Sequence, residues 1–117
     1  YEEKHEDLLT AWKKTSKYHY ISDKYGDYWK SPTEFEADKG GDCEDFAAYL
    51  VYLLGSEASM VGIHTKITNH MIVKYKGEYI EPQTYKKYYK EENLDIFVVY
   101  DYWESMALVT WVGIKVF

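Results

Sequence analysis

Apolar residues fall into two rhythms along this chain, a helical one in the first half and a strand-like one in the second. Residues 2–17 read as an amphipathic helix: Leu8, Leu9, Trp12 and Thr15 recur at helical spacing, and Glu and Asp crowd the first turns, where the helix dipole favours them. A tyrosine-rich connector, 18–29, follows, with Gly26 as a breaker. Ser31-Pro32-Thr33-Glu34 is a helix start: Ser at the cap, Pro at the first position and Glu at the third. Gly40-Gly41 keeps that helix short. From Asp42 to about Leu54, Phe46, Ala47, Leu50, Val51 and Leu54 repeat at spacings of three and four, and Gly55 closes the run. This segment is apolar enough to be the central, buried helix.

Beyond it the segments become short, β-branched and aromatic. Residues 61–68, 70–75 and 79–83 read as strands, with Gly77 dividing the last two. Residues 84–93 read as a polar loop or short helix, and 96–103 and 108–117 as two further strands. Helices over 2–55 followed by an antiparallel sheet over 60–117 predict one α+β domain, the sheet packed on the central helix.

Composition agrees with that architecture. The 117 residues are one domain's length, 46% hydrophobic and 19% aromatic, with 14 Tyr and 4 Trp, which excludes disorder. A formal net charge of −6 argues against nucleic acid as a partner; Lys13-Lys14 and Lys86-Lys87 read as solvated faces. No apolar run approaches the roughly 20 residues of a membrane helix, and no signal-peptide pattern is present, so a soluble domain is expected. The chain starts at Tyr1 rather than Met, as a processed product or excised domain does, and its compartment is not legible.

The one cysteine cannot form an internal disulfide. Its position carries the chemistry. Gly40-Gly41-Asp42-Cys43 puts the thiol in the first turn of the buried helix, where unpaired N–H groups and the positive dipole end stabilise a thiolate. The glycines would let a substrate backbone approach closely, and the Cys43 N–H is an oxyanion donor in waiting. Asp42, Glu44 and Asp45 oppose the effect by their charge, although Glu44 and Asp45 project about 100° and 200° round the helix from Cys43; both read as first-turn residues favoured by the dipole.

A nucleophilic Cys needs a base that a third group orients. Of the four histidines, His5 and His19 lie on or beside the polar first helix, whereas His64 and His70 fall among the strands expected to face the Cys helix. If Lys76-Gly77 is a two-residue hairpin turn, Tyr75 pairs with Glu78, Ile72 with Glu81 and His70 with Gln83. Glu81 is then the diagonal neighbour of His70, about 7–8 Å away between Cα atoms, and its carboxylate can fix the imidazole.

These residues resemble a known family. Asp27-Tyr28-Trp29-Lys30-Ser31-Pro32-Thr33-Glu34 followed by Gly40-Gly41-Asp42-Cys43-Glu44-Asp45-Phe46-Ala47 is similar to the nucleophile region of bacterial and archaeal transglutaminase-like cysteine peptidases. The His70 strand and Tyr79-Ile80-Glu81-Pro82 match the family's later His and acid in order and spacing. The resemblance spans residues 18–83. It implies a papain-like fold and acyl transfer through a thioester: Cys43 attacks an amide carbonyl, His70 shuttles the proton and Glu81 orients His70. Glu81 departs from the family's usual Asp or Asn by one methylene. Upstream aromatic side chains help form the oxyanion hole in some members, which makes Tyr20, Tyr25 and Trp29 candidates. In the branch that cleaves bacterial surface adhesins, acids flanking the nucleophile bind calcium. Asp42, Glu44 and Asp45 match those positions, making Ca²⁺ a candidate ligand, while no other cofactor is required. The expected activity is hydrolysis of a peptide or isopeptide amide in a protein or peptide substrate. The alternatives are a cross-linking transglutaminase and a catalytically silent binding module on the same fold.

Overall fold

The computed structural model describes residues 4–22 and 29–115, the side chains of 110–115 excepted. Helix α1 (Leu8–Ser16) starts later than the sequence predicts because Asp7 takes the cap, its carboxylate accepting the Thr10 N–H at 3.3 Å. Strand β1 (His19–Tyr20) follows. Helix α2 (Pro32–Asp38) begins at a full capping box, with Ser31 and Glu34 each accepting the other's backbone N–H. It ends where Lys39 turns left-handed at φ +64°. Strand β2 (Gly40–Gly41) pairs in parallel with β1, His19 opposite Gly40 and Tyr20 opposite Gly41. Helix α3 (Cys43–Leu54) is capped by Asp42 and closed by Gly55, as its sequence predicts.

The sheet runs β3 (Ala58–His64), β4 (Asn69–Tyr75), β5 (Glu78–Ile80), β6 (Tyr88–Tyr89) and β7 (Asp95–Tyr100), antiparallel throughout, in the spatial order β6-β5-β4-β3-β7. Tyr75 pairs with Glu78 and Val73 with Ile80, the register a two-residue turn at Lys76-Gly77 requires. The segment read as loop or short helix contains β6 and a 3-10 turn, Glu91–Asn93.

One predicted element is wrong. Of the segment read as a strand over 108–117, residues 108–115 are helical: Tyr102–Lys115 form helix α4, so the sheet ends at Tyr100, and residues 116–117 lie outside the described residues. Leu108, Val109 and Trp111 carry strand propensity, but Asp101 and Glu104 make a capping box, Asp101 Oδ1 accepting the Glu104 N–H at 2.8 Å and Glu104 Oε1 the Asp101 N–H at 3.2 Å. Tyr102, Ser105, Met106 and Val109 then bury at helical spacing, and that packing overrides propensity.

Helix α3 is the hub. Phe46, Ala47, Leu50, Val51 and Leu54 are buried between α1, α4 and the sheet, alongside Trp12, Phe35, Met60, Val73, Ile80 and Tyr102. Each large apolar side chain so buried contributes about 1.5–3 kcal/mol, so the first turn of α3 is anchored firmly behind whatever its cysteine faces. No described helix is long and apolar enough to cross a membrane.

Candidate active site

The first turn of α3 is built around two buried acids. Asp42 Oδ1 accepts the Asp45 N–H at 3.3 Å, and Asp45 Oδ2 accepts the Asp42 N–H at 3.0 Å. Asp45 Oδ1 also takes the Lys30 N–H at 2.8 Å, tying the approach to α2 onto the helix that carries the thiol. Asp45 is therefore a buried structural acceptor rather than a solvated first-turn acid. Burial pushes its carboxyl up to about 7, with the Asp42 charge adding to the rise and the two backbone N–H groups opposing it.

The glycine pair serves this construction. A Cβ on Gly40 would lie 1.8 Å from the His19 carbonyl oxygen, and one on Gly41 would lie 2.5 Å from Asp45 Oδ2. The space read from the sequence as room for a substrate backbone is filled by β1 and by Asp45.

Cys43 is a free, half-buried cysteine packed at the margin of the core. It acts on the His70 ring, and its influence is the first cause of a His70 pKa raised to about 9. The hydrogen bond with Glu81 is the second cause, and burial of the ring opposes both. The ring sits at the start of β4 and is 21% exposed. Its Nε2 donates to Glu81 Oε1 at 2.5 Å, because an ionised carboxylate can only accept. Nδ1 is left for the sulfur.

Glu81 lies one residue past the β5 ladder and its side chain is 5% exposed. Every polar edge of this carboxylate is held. Oε1 also accepts the Tyr89 hydroxyl at 2.6 Å, Oε2 accepts the Gln83 N–H at 3.1 Å, and the Glu81 carbonyl accepts the Trp12 indole N–H at 2.7 Å. Burial alone would raise the carboxyl. The donors from His70, Tyr89 and Gln83, together with the His70 charge, outweigh it and hold the group below the usual carboxylate range. Tyr89 and Trp12 were not legible as site residues. The only signal was that Trp12 and a tyrosine-rich stretch would meet the sheet on which Glu81 sits.

Of the oxyanion candidates, Tyr20 pairs with Gly41, two residues before Cys43, and its pKa is raised by burial and by the neighbouring charges of Cys43 and the acids that flank it. Trp29 is half-buried, its ring edge-on to Tyr100 with centroids 5.9 Å apart. Tyr25 lies outside the described residues. The Cys43 N–H meets no protein acceptor among the described residues.

Three other histidines lie apart. His64 is exposed, stacks on Phe97 at 4.4 Å and bonds Asn69; His5 lies beside Gly55; and His19 is exposed on β1. Among the described residues no three His, Cys, Asp or Glu side chains converge to hold a metal ion. Asp42 and Asp45 turn inward to cap the helix, so among the described residues they do not converge with Glu44 as a three-carboxylate group.

No known family profile matches this chain, and no curated protein does. Solved structures do. The chain is similar to Legionella pneumophila LapG in its calcium-bound form, at 24% identity and a TM-score of 0.68, covering 80% of this chain and 62% of LapG. EGTA-treated LapG matches at 24% identity and a TM-score of 0.67, covering 80% of this chain and 61% of LapG. A third LapG structure matches at 23% and 0.64, covering 80% and 65%. The shared fold is the papain-like, transglutaminase-like one, with a helix carrying Cys43 against an antiparallel sheet. The chain spans about 62% of the LapG chain.

Proposed function

We propose that residues 1–117 form a single transglutaminase-like domain that hydrolyses a peptide or isopeptide amide through a thioester on Cys43. The observation that carries this reading is the His70 ring hydrogen-bonded to a buried, fully satisfied Glu81 carboxylate, with Cys43 the side chain that most raises the ring's pKa. A nucleophile, a base and an orienting acid in that relation are what thiol acyl transfer needs. The fold shared with LapG, which serves cysteine proteases, supports the same class of chemistry.

A His70 that holds its proton up to about pH 9 is the counter-ion a Cys43 thiolate needs. The sulfur attacks the amide carbonyl carbon, and the carbonyl electrons move onto oxygen. The Cys43 N–H meets that oxyanion, with Tyr20 the nearest described candidate for a second donor. His70 gives its proton to the departing amine as the C–N bond breaks and the thioester forms. Water then attacks the thioester carbonyl, His70 takes a proton from it, and the acid leaves as sulfur regains its electron pair. Glu81 positions the ring and holds it in charge balance throughout. Its extra methylene over the family's Asp supports the assignment here, because it carries the carboxylate across the diagonal of the hairpin to Nε2.

Calcium belongs to this reading only if Asp42, Glu44 and Asp45 can converge; a Ca²⁺ titration followed by melting temperature measures this, and an unchanged melt removes calcium from the proposal. The central test is covalent labelling with an electrophilic peptide mimic, located by mass spectrometry. Wild type should be labelled at Cys43, Cys43→Ala should not be labelled while melting normally, and His70→Ala should label more slowly by a factor of about 10² or more. Equal labelling of wild type and His70→Ala would refute the assignment.

A further inference from the structure

On this acidic chain one cleft is basic. A cavity of about 650 Å³ lies between α1, β1 and the end of α2, lined by Lys13, Lys14, Lys17, His19 and Lys39, with Thr10 and Tyr18 completing the wall. Lys14 is partly neutralised by Glu36, 4.0 Å away. Lys13, Lys17 and Lys39 are exposed and have no ion-pair partner among the described residues. Three cations with no ion-pair partner among the described residues, around one cavity on a chain whose formal net charge is −6, are a local reversal of sign.

The cleft is joined to the nucleophile by backbone. His19 and Lys39, on its wall, adjoin Tyr20 and Gly40, and β1 and β2 pair His19 with Gly40 and Tyr20 with Gly41. From Lys39 to Cys43 is four residues, at most about 14 Å of extended chain. Successive residues of β1 face opposite ways, so His19 looks into the cleft while Tyr20, paired with Gly41, points away from it. The first turn of α3 that carries the thiol is itself acidic, with Asp42 at its cap and Glu44 beside Cys43, which disfavours carboxylates at the scissile bond. Acidic side chains can therefore be received only at a distance, and the basic cleft offers that distance.

We propose that this cleft receives an acidic stretch of the peptide substrate, three to five residues from the bond that Cys43 attacks. The inference rests on the function proposed above and adds the substrate class: a neutral segment at the thiol, flanked by Asp or Glu that cross the exposed edge of β1. A peptide is favoured over nucleic acid because a chain this acidic repels an extended polyanion everywhere except at the cleft.

The test uses two thiol-directed peptide chloromethyl ketones, one neutral and one identical but extended by four glutamates, against wild type and the triple variant Lys13→Gln, Lys17→Gln, Lys39→Gln. The acidic probe should modify wild-type Cys43 about tenfold faster than the neutral one at low salt. The triple variant should lose that advantage while keeping its melting temperature and its rate with the neutral probe. Equal rates for both probes in wild type, or an advantage that survives in the variant, would overturn the proposal. If neither probe modifies Cys43, the hydrolase reading fails and the cleft is judged separately by fluorescence anisotropy with fluorescein-labelled tetraglutamate. Binding to wild type that is lost in the triple variant supports the cleft, and binding that the variant retains overturns it. A single-stranded oligothymidylate of equal charge that displaces the tetraglutamate at equal concentration also overturns the assignment to an acidic peptide.

Discussion

Replacing Glu81 with Gln removes one charge from a site where three donors converge, and its consequence can be worked through. His70 Nε2, the Tyr89 hydroxyl and the Gln83 N–H all point at the carboxylate. A Gln side chain has one acceptor oxygen and one donor NH₂, so at least one of the three must face another donor. Leaving that group unsatisfied costs about 1–3 kcal/mol of stability. The charged hydrogen bond to His70 is worth about 1.5–3 kcal/mol, and each pH unit corresponds to about 1.4 kcal/mol. The His70 midpoint, raised to about 9 in the wild type, should therefore fall by about one to two pH units, while the influence of Cys43 continues to hold it up. An NMR titration of the imidazole resonances, assigned with His70→Gln, reads this directly. A midpoint unchanged by Glu81→Gln would refute the idea that this carboxylate governs the ring.

Three further outcomes are expected. The folded His70 keeps its proton up to about pH 9, whereas the unfolded imidazole loses it near 6.5. Its stabilisation is thus complete below 6.5 and is lost as the pH climbs from 6.5 to 9; urea melts across that window should show a loss of about 2–3 kcal/mol, and a flat profile would contradict the shift. Tyr89→Phe deletes the 2.6 Å hydroxyl bond to Glu81 and should lower the urea midpoint by the equivalent of about 1–2 kcal/mol, with slower Cys43 labelling although Tyr89 touches neither sulfur nor ring in the proposed chemistry. Gly40→Ala should cost about 2–4 kcal/mol, since a methyl 1.8 Å from the His19 carbonyl forces β1 off β2, whereas Gly77→Ala, with open space but φ +83°, should cost only about 1 kcal/mol. Similar melts for the two variants would count against the packing explanation.

The residues that could be read from the sequence are those whose partners are local or set by a turn. Ser31 and Glu34, Asp42 and Asp45, and Gly55 act within one helical turn, so their pattern shows in the chain itself. The hairpin at Lys76-Gly77 has one register for a given turn length, which is why Glu81 could be set beside His70 before any coordinates existed. Trp12 and Tyr89 escaped because what they touch depends on how α1 and β6 pack on β5, and no spacing rule links residue 12 to residue 81. Helix α4 is hidden in the sequence because its β-branched and aromatic residues carry strand propensity, and only the Asp101–Glu104 capping box marks its start. The glycine pair was legible as a requirement for small residues but not as to what needs the space.

The bond from the Trp12 indole to the Glu81 carbonyl, taken with the one from Tyr89, has a consequence for biosynthesis. Glu81 is clamped by residues at both ends of the first ninety, its carbonyl by Trp12 and its carboxylate by Tyr89, so a nascent chain on the ribosome holds an unorganised His70–Glu81 pair until residue 89 has emerged. Translation intermediates and products truncated ahead of Tyr89 should therefore lack an organised His70–Glu81 pair.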